Sequence, residues 1–278
     1  MMENEKKIGL QFTTTDDPPI VLDEEPKRWR YRGHIEKDQI PITISVCYLQ
    51  DVDSLNIYTQ SILTMLRLSH PGVIKNYDLQ FKQTPEGLYE VTELTEPLDE
   101  SLARDLAERR ETQRWYSEAE LWRILTDLIK VLHFAQDQGV CHRNINPENC
   151  YWCNGQIKLG GFEHAAGHLE IQRSRTTLVG RKTYYSPELR TVLAKWEREG
   201  VSCEYDPIKA DVWALGVLAL DLASLGAVSG EGVQMRVEEM IEGGSRAYPT
   251  AMSCVKLMLD RNLDERPSFA KLGEWIGQ

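Results

Sequence analysis

The residues best suited to chemistry lie in one run of the sequence, CHRNINPENCYWCNGQIKLGGFE at residues 141–163. Asn144 carries a neutral amide, which cannot accept a proton in the way that the carboxylate of a general base does. Gly161 has no side chain to offer to a metal ion. Glu163 is the candidate carboxylate ligand that remains close by. The run therefore predicts weak acid–base chemistry and no complete metal site.

The same run has the frame of a known catalytic loop. His142, Arg143 and Asn149 fit the pattern H-R-D-x-x-x-x-N, and Phe162 stands in the middle of what would be D-F-G. On these residues the sequence resembles a protein kinase. The resemblance covers residues 29–278 and is carried mainly by patterns in the C-terminal two thirds of the chain.

The resemblance implies that chemical groups of the loop are missing. Asn144 replaces the aspartate that accepts the substrate proton, and Asn146 replaces the lysine that helps to hold the γ-phosphate. Gly161 replaces the aspartate that binds metal. No aspartate occurs between Asp137 and Asp206, so a shifted alignment restores neither carboxylate.

Two further groups expected of a kinase are absent nearer the N-terminus. The strand pattern ISVC places Cys47 where the phosphate-gripping lysine belongs, and no lysine occurs between Lys37 and Lys75. Ser61, or its neighbour Gln60, takes the place of the glutamate that pairs with this lysine. The resemblance therefore implies that both members of the pair are lost.

Residues that hold the kinase scaffold are present. By resemblance, Glu188 ends the activation segment and forms a buried ion pair with Arg266, and Asp211 caps an apolar helix while it holds the catalytic-loop backbone. His142 is expected to pack the loop, and Arg143 to meet a phosphate or carboxylate.

A candidate contact for a nucleotide base remains in the backbone. By resemblance Thr92 is the gatekeeper, and Glu93 and Leu94 begin the hinge, whose backbone groups could bond an adenine. Asn149 is a further candidate contact. No cofactor is assigned with certainty: ATP is a candidate, without productive magnesium, and no metal site is predicted.

The segment between Glu163 and Tyr184 is basic and carries Ser174, Thr176 and Thr177. One interpretation is an activation loop that another kinase phosphorylates and that Arg143 then holds. The other, which we favour, is a mobile basic loop.

The resemblance implies an α+β, bilobal, kinase-like fold with a small β-rich N-lobe, containing one main helix, and a larger, mostly α-helical C-lobe. Residues 1–28 are predicted to be an acidic flexible tail, 29–94 the N-lobe and 95–278 the C-lobe. Helices are expected near residues 53–68 and 117–138, the second with a capping box of Ser117 and Glu120.

Composition limits the partners. The chain has 278 residues and a net charge of −11, which opposes binding to nucleic acid or to anionic membranes. No signal peptide or spanning stretch is recognised, so a cytoplasmic location is predicted. Cys150 and Cys153 form a CxxC pair, but we interpret them as strand residues because no second ligand pair has suitable spacing.

The leading interpretation at this level is that the chain is not an enzyme. It would be a catalytically inactive, kinase-like signalling scaffold or allosteric partner that binds an active kinase or another signalling protein. One alternative is an atypical, weak ATP-dependent Ser/Thr protein kinase that uses Glu163 for metal and Lys37 for phosphate. The other is a sensor that binds ATP without hydrolysing it.

Overall fold

A computed structural model of the chain describes residues 9–15, 20–24, 27–167, 178–201, 203–226 and 246–277, together with 239, 242 and 243. The chain divides into two compact units. Unit 1 comprises Met1–Gln60 and Ile74–Asp99, and unit 2 comprises Ser61–Val73 and Glu100–Gln278. The last division follows Asp99, whereas the boundary predicted from the sequence follows residue 94 and stays a prediction.

Unit 1 is built on an antiparallel sheet of six strands, in which β1, β3, β4, β6 and β5 lie side by side and β2 also pairs with β3. One face of this sheet buries a cluster of Ile35, Ile42, Ile44 and Leu94. The strands are β1 Phe12–Thr14, β2 Ile20–Glu24, β3 Lys27–Ile35, β4 Pro41–Leu49, β5 Asn76–Gln83 and β6 Tyr89–Thr95.

The predicted flexible tail at residues 1–28 needs correction. Phe12 pairs with Ile35, and Ile20 pairs with Arg30, so two short strands of the tail join the sheet through β3. Short strands next to acidic residues carry little local signal, and their pairing with a distant strand is what stabilises them. Residues 1–8, 16–19, 25 and 26 of the predicted tail lie outside the described residues.

The helices, with one hairpin, make up most of unit 2. Helix α1 crosses the division of the chain: residues 52–60 belong to unit 1 and residues 61–66 to unit 2. The elements are α1 Val52–Leu66, α2 Leu102–Glu111, α3 Glu118–Asp137, β7 Cys150–Cys153, β8 Gln156–Leu159, α4 Pro187–Glu199, α5 Pro207–Ala223, α6 Pro249–Met258 and α7 Phe269–Ile276.

Helix α3 is the central element of unit 2 and follows the prediction closely. The Ser117 side chain accepts a bond from the Glu120 backbone N–H, and the Glu120 side chain accepts one from the Ser117 backbone N–H. This capping box fixes the start of the helix, and the apolar face packs against α5, α6 and α7. Its fully buried side chains include Leu121, Leu128 and Ile129.

Helix α5 is apolar on nearly every side because it is buried on nearly every side. It begins at Pro207, and the Asp206 carboxylate caps it by accepting the N–H groups of Ile208 and Lys209. Asp211 lies in the second turn, so the prediction that it caps the helix is wrong. Among the described residues, no helix is both long and apolar enough to span a membrane.

Candidate functional site

The backbone of the catalytic-loop run is held by one buried carboxylate. Asp211 Oδ2 accepts the N–H of His142 at 2.7 Å, and Oδ1 accepts the N–H of Arg143 at 2.8 Å. Arg143 has a φ of 64°, which is unusual for a residue other than glycine. Burial raises the pKa of Asp211 to about 7, while its two backbone donors act in the opposite direction. The loop conformation therefore depends on Asp211.

His142 joins the loop to the turn that precedes Gly161. Its Nδ1 accepts the N–H of Asn144 at 3.2 Å, so the proton lies on Nε2, which donates to the carbonyl of Gly160 at 2.8 Å. The edge of the ring meets Phe162, with centroids 4.6 Å apart. Burial lowers the pKa of His142 to about 4, so the imidazole is neutral at pH 7. Its two ring nitrogens link the backbone at Asn144 to the backbone at Gly160.

The side chains of Asn146 and Asn149 both donate hydrogen bonds to Asn144 in this loop. Asn146 Nδ2 donates to both the Oδ1 and the carbonyl oxygen of Asn144 at 3.0 Å, and Asn149 Nδ2 donates to the same carbonyl at 2.8 Å. Asn146 also caps the short helix Pro147–Asn149 through the N–H of Glu148. Positions 144 and 146, which carry charged side chains in the kinase pattern, carry neutral amides here. These amides take part in hydrogen bonds within the loop.

The Asn149 side chain lies against Gly161, the position at which the kinase pattern has a metal-binding aspartate. Gly161 has a φ of 73° and a ψ of 37°, in the left-handed region. A Cβ atom built on Gly161 would lie only 2.1 Å from Cγ of Asn149. The Asn149 side chain thus fills the space in which a side chain at 161 would begin.

These residues do not fit the magnesium ion that the kinase pattern implies. The carboxylate nearest to Gly161 in the sequence is that of Glu163, two residues later. Glu163 is half-buried within the short helix Phe162–His164. In the described parts of the chain, no three His, Cys, Asp or Glu side chains are grouped so that they could hold a metal ion. The missing ligand is therefore not replaced by a new cluster.

The activation-segment end is tied to unit 2 by a buried ion pair. Arg266 is fully buried, and its Nη1 and Nη2 donate to the two carboxylate oxygens of Glu188 at 2.7 and 3.1 Å. The same guanidinium donates to the carbonyls of Lys209 and Asp260 and lies over the ring of Trp213. Charge and hydrogen-bond partners are both satisfied, which is the condition for such a pair to be tolerated in a core.

The predicted activation-loop sites Ser174, Thr176 and Thr177 lie outside the described residues. The described chain resumes at residue 178, and Arg181 then pairs with Glu148 of the loop at 2.5 Å. Both side chains of this pair are about half exposed, so its contribution to stability is small. Sequence analysis did not find this contact, because the two residues are far apart along the chain.

In unit 1, Cys47 and Lys37 lie far from each other. Cys47 is buried on β4 and pairs with Arg28 and Val91, whereas Lys37 lies in the turn that joins β3 to β4. From Pro41 to Cys47 the strand extends about 20 Å. Lys37 therefore does not occupy the place of a lysine at position 47, and its use for phosphate stays a prediction. Ser61 lies within α1, and its side chain is outside the described set.

The two predicted hinge residues lie within a strand of the sheet. Glu93 and Leu94 lie inside β6, between β4 and β5, with Glu93 opposite Ser45 and Leu94 opposite Ile44. A central strand directs its backbone groups to the strands beside it. The backbone of these two residues therefore lies within the sheet, and its contact with an adenine stays a prediction. Thr92, the predicted gatekeeper, is buried in the same strand.

Comparison with known proteins shows which proteins this sequence is similar to. A family model described as "Protein kinase domain" matches residues 48–274. The chain is 27% identical over 173 residues to "Serine/threonine-protein kinase 10-A" of Xenopus laevis, which covers 59% of this chain and 18% of that protein. It is 25% identical over 249 residues to "Probable serine/threonine-protein kinase nek2" of Dictyostelium discoideum, covering 85% and 56% respectively.

A third relative is "Serine/threonine-protein kinase STE20" of Kluyveromyces lactis, 33% identical over 107 residues, which covers 38% of this chain and 10% of that protein. The chain thus spans less than a fifth of the Xenopus and Kluyveromyces relatives. These matches contradict the sequence-based prediction that the chain is not an enzyme, because both the domain and the relatives are those of protein kinases. The substitutions at Asn144 and Gly161 do not by themselves establish inactivity.

Proposed function

The chain belongs to the protein kinase domain family, and from that membership we propose that it is an atypical, weak ATP-dependent protein kinase that acts on serine or threonine hydroxyls. Members of this family use ATP together with magnesium. The family match over residues 48–274 and the Ser/Thr kinases among the relatives support this proposal. The α+β fold, with a β-rich unit and a helical unit, is in keeping with it.

The observation that carries the proposal is the anchored loop. Asp211 fixes the backbone at His142 and Arg143 with two bonds, and the Arg266–Glu188 pair fixes the end of the activation segment. Phosphoryl transfer needs little covalent chemistry from the protein and depends mainly on positioning and electrostatics. A loop held in this way can still orient a substrate hydroxyl.

The expected rate of phosphoryl transfer depends on Asn144. Its amide can hydrogen-bond a substrate hydroxyl but cannot accept the proton as a carboxylate does. Loss of a general base costs roughly a hundredfold to ten-thousandfold in rate, so slow transfer is expected. No step is assigned to a metal ion at position 161, because Asn149 fills that space.

The test is a gain of activity, which a contaminating kinase cannot imitate. Transfer from γ-labelled ATP to a protein acceptor is measured for the wild type, Asn144→Asp and Asn154→Asp. An aspartate at 144 still accepts the bond that Asn146 Nδ2 now donates to Asn144 Oδ1. The same chemical change at Asn154, in the exposed turn between β7 and β8, is the matched control.

We expect detectable transfer by the wild type, an increase of about a hundredfold in Asn144→Asp and no change in Asn154→Asp. Transfer that is equal in all three proteins would point to a contaminant and would refute the proposal. Binding to an active kinase or another signalling protein stays a prediction, and recovery of such a partner with the purified chain would test it.

A further inference from the structure

The backbone at Gly180 lies directly against the catalytic loop. Gly180 has a φ of 86°, and a Cβ atom built on it would lie 2.3 Å from the carbonyl oxygen of Arg143 and 3.4 Å from Cα of Asn144. A side chain at this position would clash with the loop, so glycine allows the close approach. Arg181 follows directly and therefore begins beside Asn144, whose amide can hydrogen-bond the acceptor hydroxyl.

The other end of the Arg181 side chain is held by Glu148. Nη1 of Arg181 donates to Oε1 of Glu148 at 2.5 Å, and Glu148 belongs to the short helix Pro147–Asn149 of the same loop. The side chain thus extends along the loop, from the backbone at Asn144 to Glu148. Arg181 also lines one cleft of unit 2 together with Arg143 and Asn144. A positive charge is therefore placed next to Asn144.

The other charged side chains that line this cleft are engaged within the loop. Nε of Arg143 donates to the carbonyl of His164 at 2.6 Å, and both oxygens of Asp211 accept backbone N–H groups. The pair with Glu148 uses one N–H of Arg181, whereas a guanidinium carries five. Among the described residues, Arg181 therefore keeps donors for a second oxyanion.

The pair of Arg181 and Glu148 is weak enough to exchange. The Arg181 side chain is 47% exposed and that of Glu148 is 50% exposed. Ion pairs between exposed groups contribute little, because water and salt screen them. A phosphate group carries more charge than a carboxylate and can accept two parallel bonds from a guanidinium. Arg181 can therefore leave its carboxylate partner for a phosphate group at small cost.

Phosphoryl transfer needs positive charge close to Asn144, where the side chains of the loop itself are neutral. The bond between the γ-phosphorus and the bridging oxygen of ATP breaks, and its electron pair stays with ADP. A new bond joins the phosphorus to the acceptor oxygen, and the acceptor proton passes to water. Positive groups at the transferring phosphoryl group lower the barrier, yet Asn144 and Asn146 carry no charge.

We propose that Arg181 binds the phosphoryl group beside Asn144 and exchanges the carboxylate of Glu148 for phosphate oxygens during transfer. This inference rests on the proposed kinase function and adds to it a phosphate-binding residue that lies outside the catalytic-loop run. Glu148 competes with the phosphate group for the same guanidinium. Removal of the Arg181 charge and removal of the Glu148 charge should therefore have opposite effects on phosphate binding.

The experiment measures binding and transfer by the full chain for the wild type, Arg181→Gln, Glu148→Gln and Lys182→Gln. The binding probe is a fluorescent peptide of alanine and glycine with a single phosphoserine, compared with the same peptide that carries serine instead. Lys182 is the matched control, because it is the next cation along the chain but pairs with Glu197 of α4. The replaced side chains are exposed or half-exposed, so the variants should fold.

We expect the wild type to bind the phosphopeptide more tightly than the serine peptide. This preference, taken as the ratio of the two dissociation constants, should fall about fivefold in Arg181→Gln and rise about twofold to fivefold in Glu148→Gln. It should stay unchanged in Lys182→Gln. In transfer from ATP, kcat should fall about tenfold in Arg181→Gln with little change in the KM of the acceptor, because the phosphate contact forms during transfer.

The binding comparison decides this inference, and transfer by the wild type decides the kinase function. No preference for the phosphopeptide, or a preference that Arg181→Gln leaves unchanged, would overturn the inference even where transfer is found. Changes in the same direction for Arg181→Gln and Glu148→Gln would also overturn it, because a pair that only holds the loop loses the same contact in both variants. Transfer whose kcat does not depend on Arg181 would do the same. The expected binding pattern without any transfer would support the phosphate site and refute the kinase function.

Discussion

The side chain of Asn149 fills the space into which any side chain at Gly161 would project. The distance of 2.1 Å from a Cβ at 161 to Asn149 Cγ is far below van der Waals contact. Two features therefore favour glycine at position 161: the left-handed backbone, and the Asn149 side chain, which leaves no space for a Cβ atom. The described structure therefore leaves no room at position 161 for the side chain of an aspartate.

Replacement of Gly161 by alanine should destabilise the protein more than the same change at Gly155. Both glycines have a positive φ, but nothing lies within 4 Å of a Cβ at Gly155. The left-handed backbone alone costs roughly 1–2 kcal/mol, and the clash with Asn149 should add about 1–3 kcal/mol. Chemical denaturation measures both variants. In Gly161→Ala/Asn149→Ala the added cost should largely vanish, and equal costs at the two glycines would contradict the interpretation.

Replacement of Asp211 by alanine should lower both stability and phosphoryl transfer. The change leaves the N–H groups of His142 and Arg143 buried without their acceptor, at about 1–3 kcal/mol each. Asp206→Ala is the control, since it removes a helix cap worth about 1 kcal/mol and does not touch the loop. Urea unfolding gives the two costs, and a smaller loss for Asp211→Ala than for the control would be evidence against the anchor.

Replacement of Arg266 by methionine should cost about 3–5 kcal/mol, because it leaves Glu188 in a largely buried site without its charge partner. The exposed pair Lys182–Glu197 provides the comparison, and Lys182→Met should cost less than about 1 kcal/mol. Glu188→Gln in the Arg266→Met background should recover part of the loss. A double-mutant cycle with no coupling between Arg266 and Glu188 would disprove the pairing.

Because His142 is neutral in the folded protein, the free energy of unfolding should depend on pH between pH 6.5 and pH 4. The folded pKa of about 4 lies below the usual value of about 6.5, so the unfolded chain binds more protons in this window. The stability that His142 contributes is complete above pH 6.5 and is lost as the pH falls. His142→Phe lacks this term, so its stability deficit relative to wild type should shrink by about 2 kcal/mol from pH 7 to pH 5.

Denaturation of the wild type and His142→Phe at both pH values measures this change. Asp211, whose pKa is also shifted, is present in both proteins, so its contribution largely cancels in the comparison. Ile145→Val, a buried change in the same loop without a titrating group, should show a deficit that does not depend on pH. A constant deficit for His142→Phe would mean that the imidazole is not held neutral.

Local sequence signals predicted the helices of unit 2 well. Ser117 and Glu120 form the capping box that their spacing indicated, and helix α3 ends at Asp137, one residue before the predicted end. Helix α1 was placed to within two residues at each end. Caps and apolar periodicity act over a few residues, so they can be recognised without knowledge of the fold.

The sequence by itself determined which groups are present: Asn144 and Gly161 in place of carboxylates, and no lysine at Cys47. Only the tertiary structure decided that the tail supplies strands to the sheet, that Asn149 fills the space at Gly161, and that Asp211 accepts the backbone N–H groups of His142 and Arg143. These relationships join residues that are separated along the chain, and they depend on strand register and packing. A one-residue change of register would alter each strand contact without altering the residues themselves.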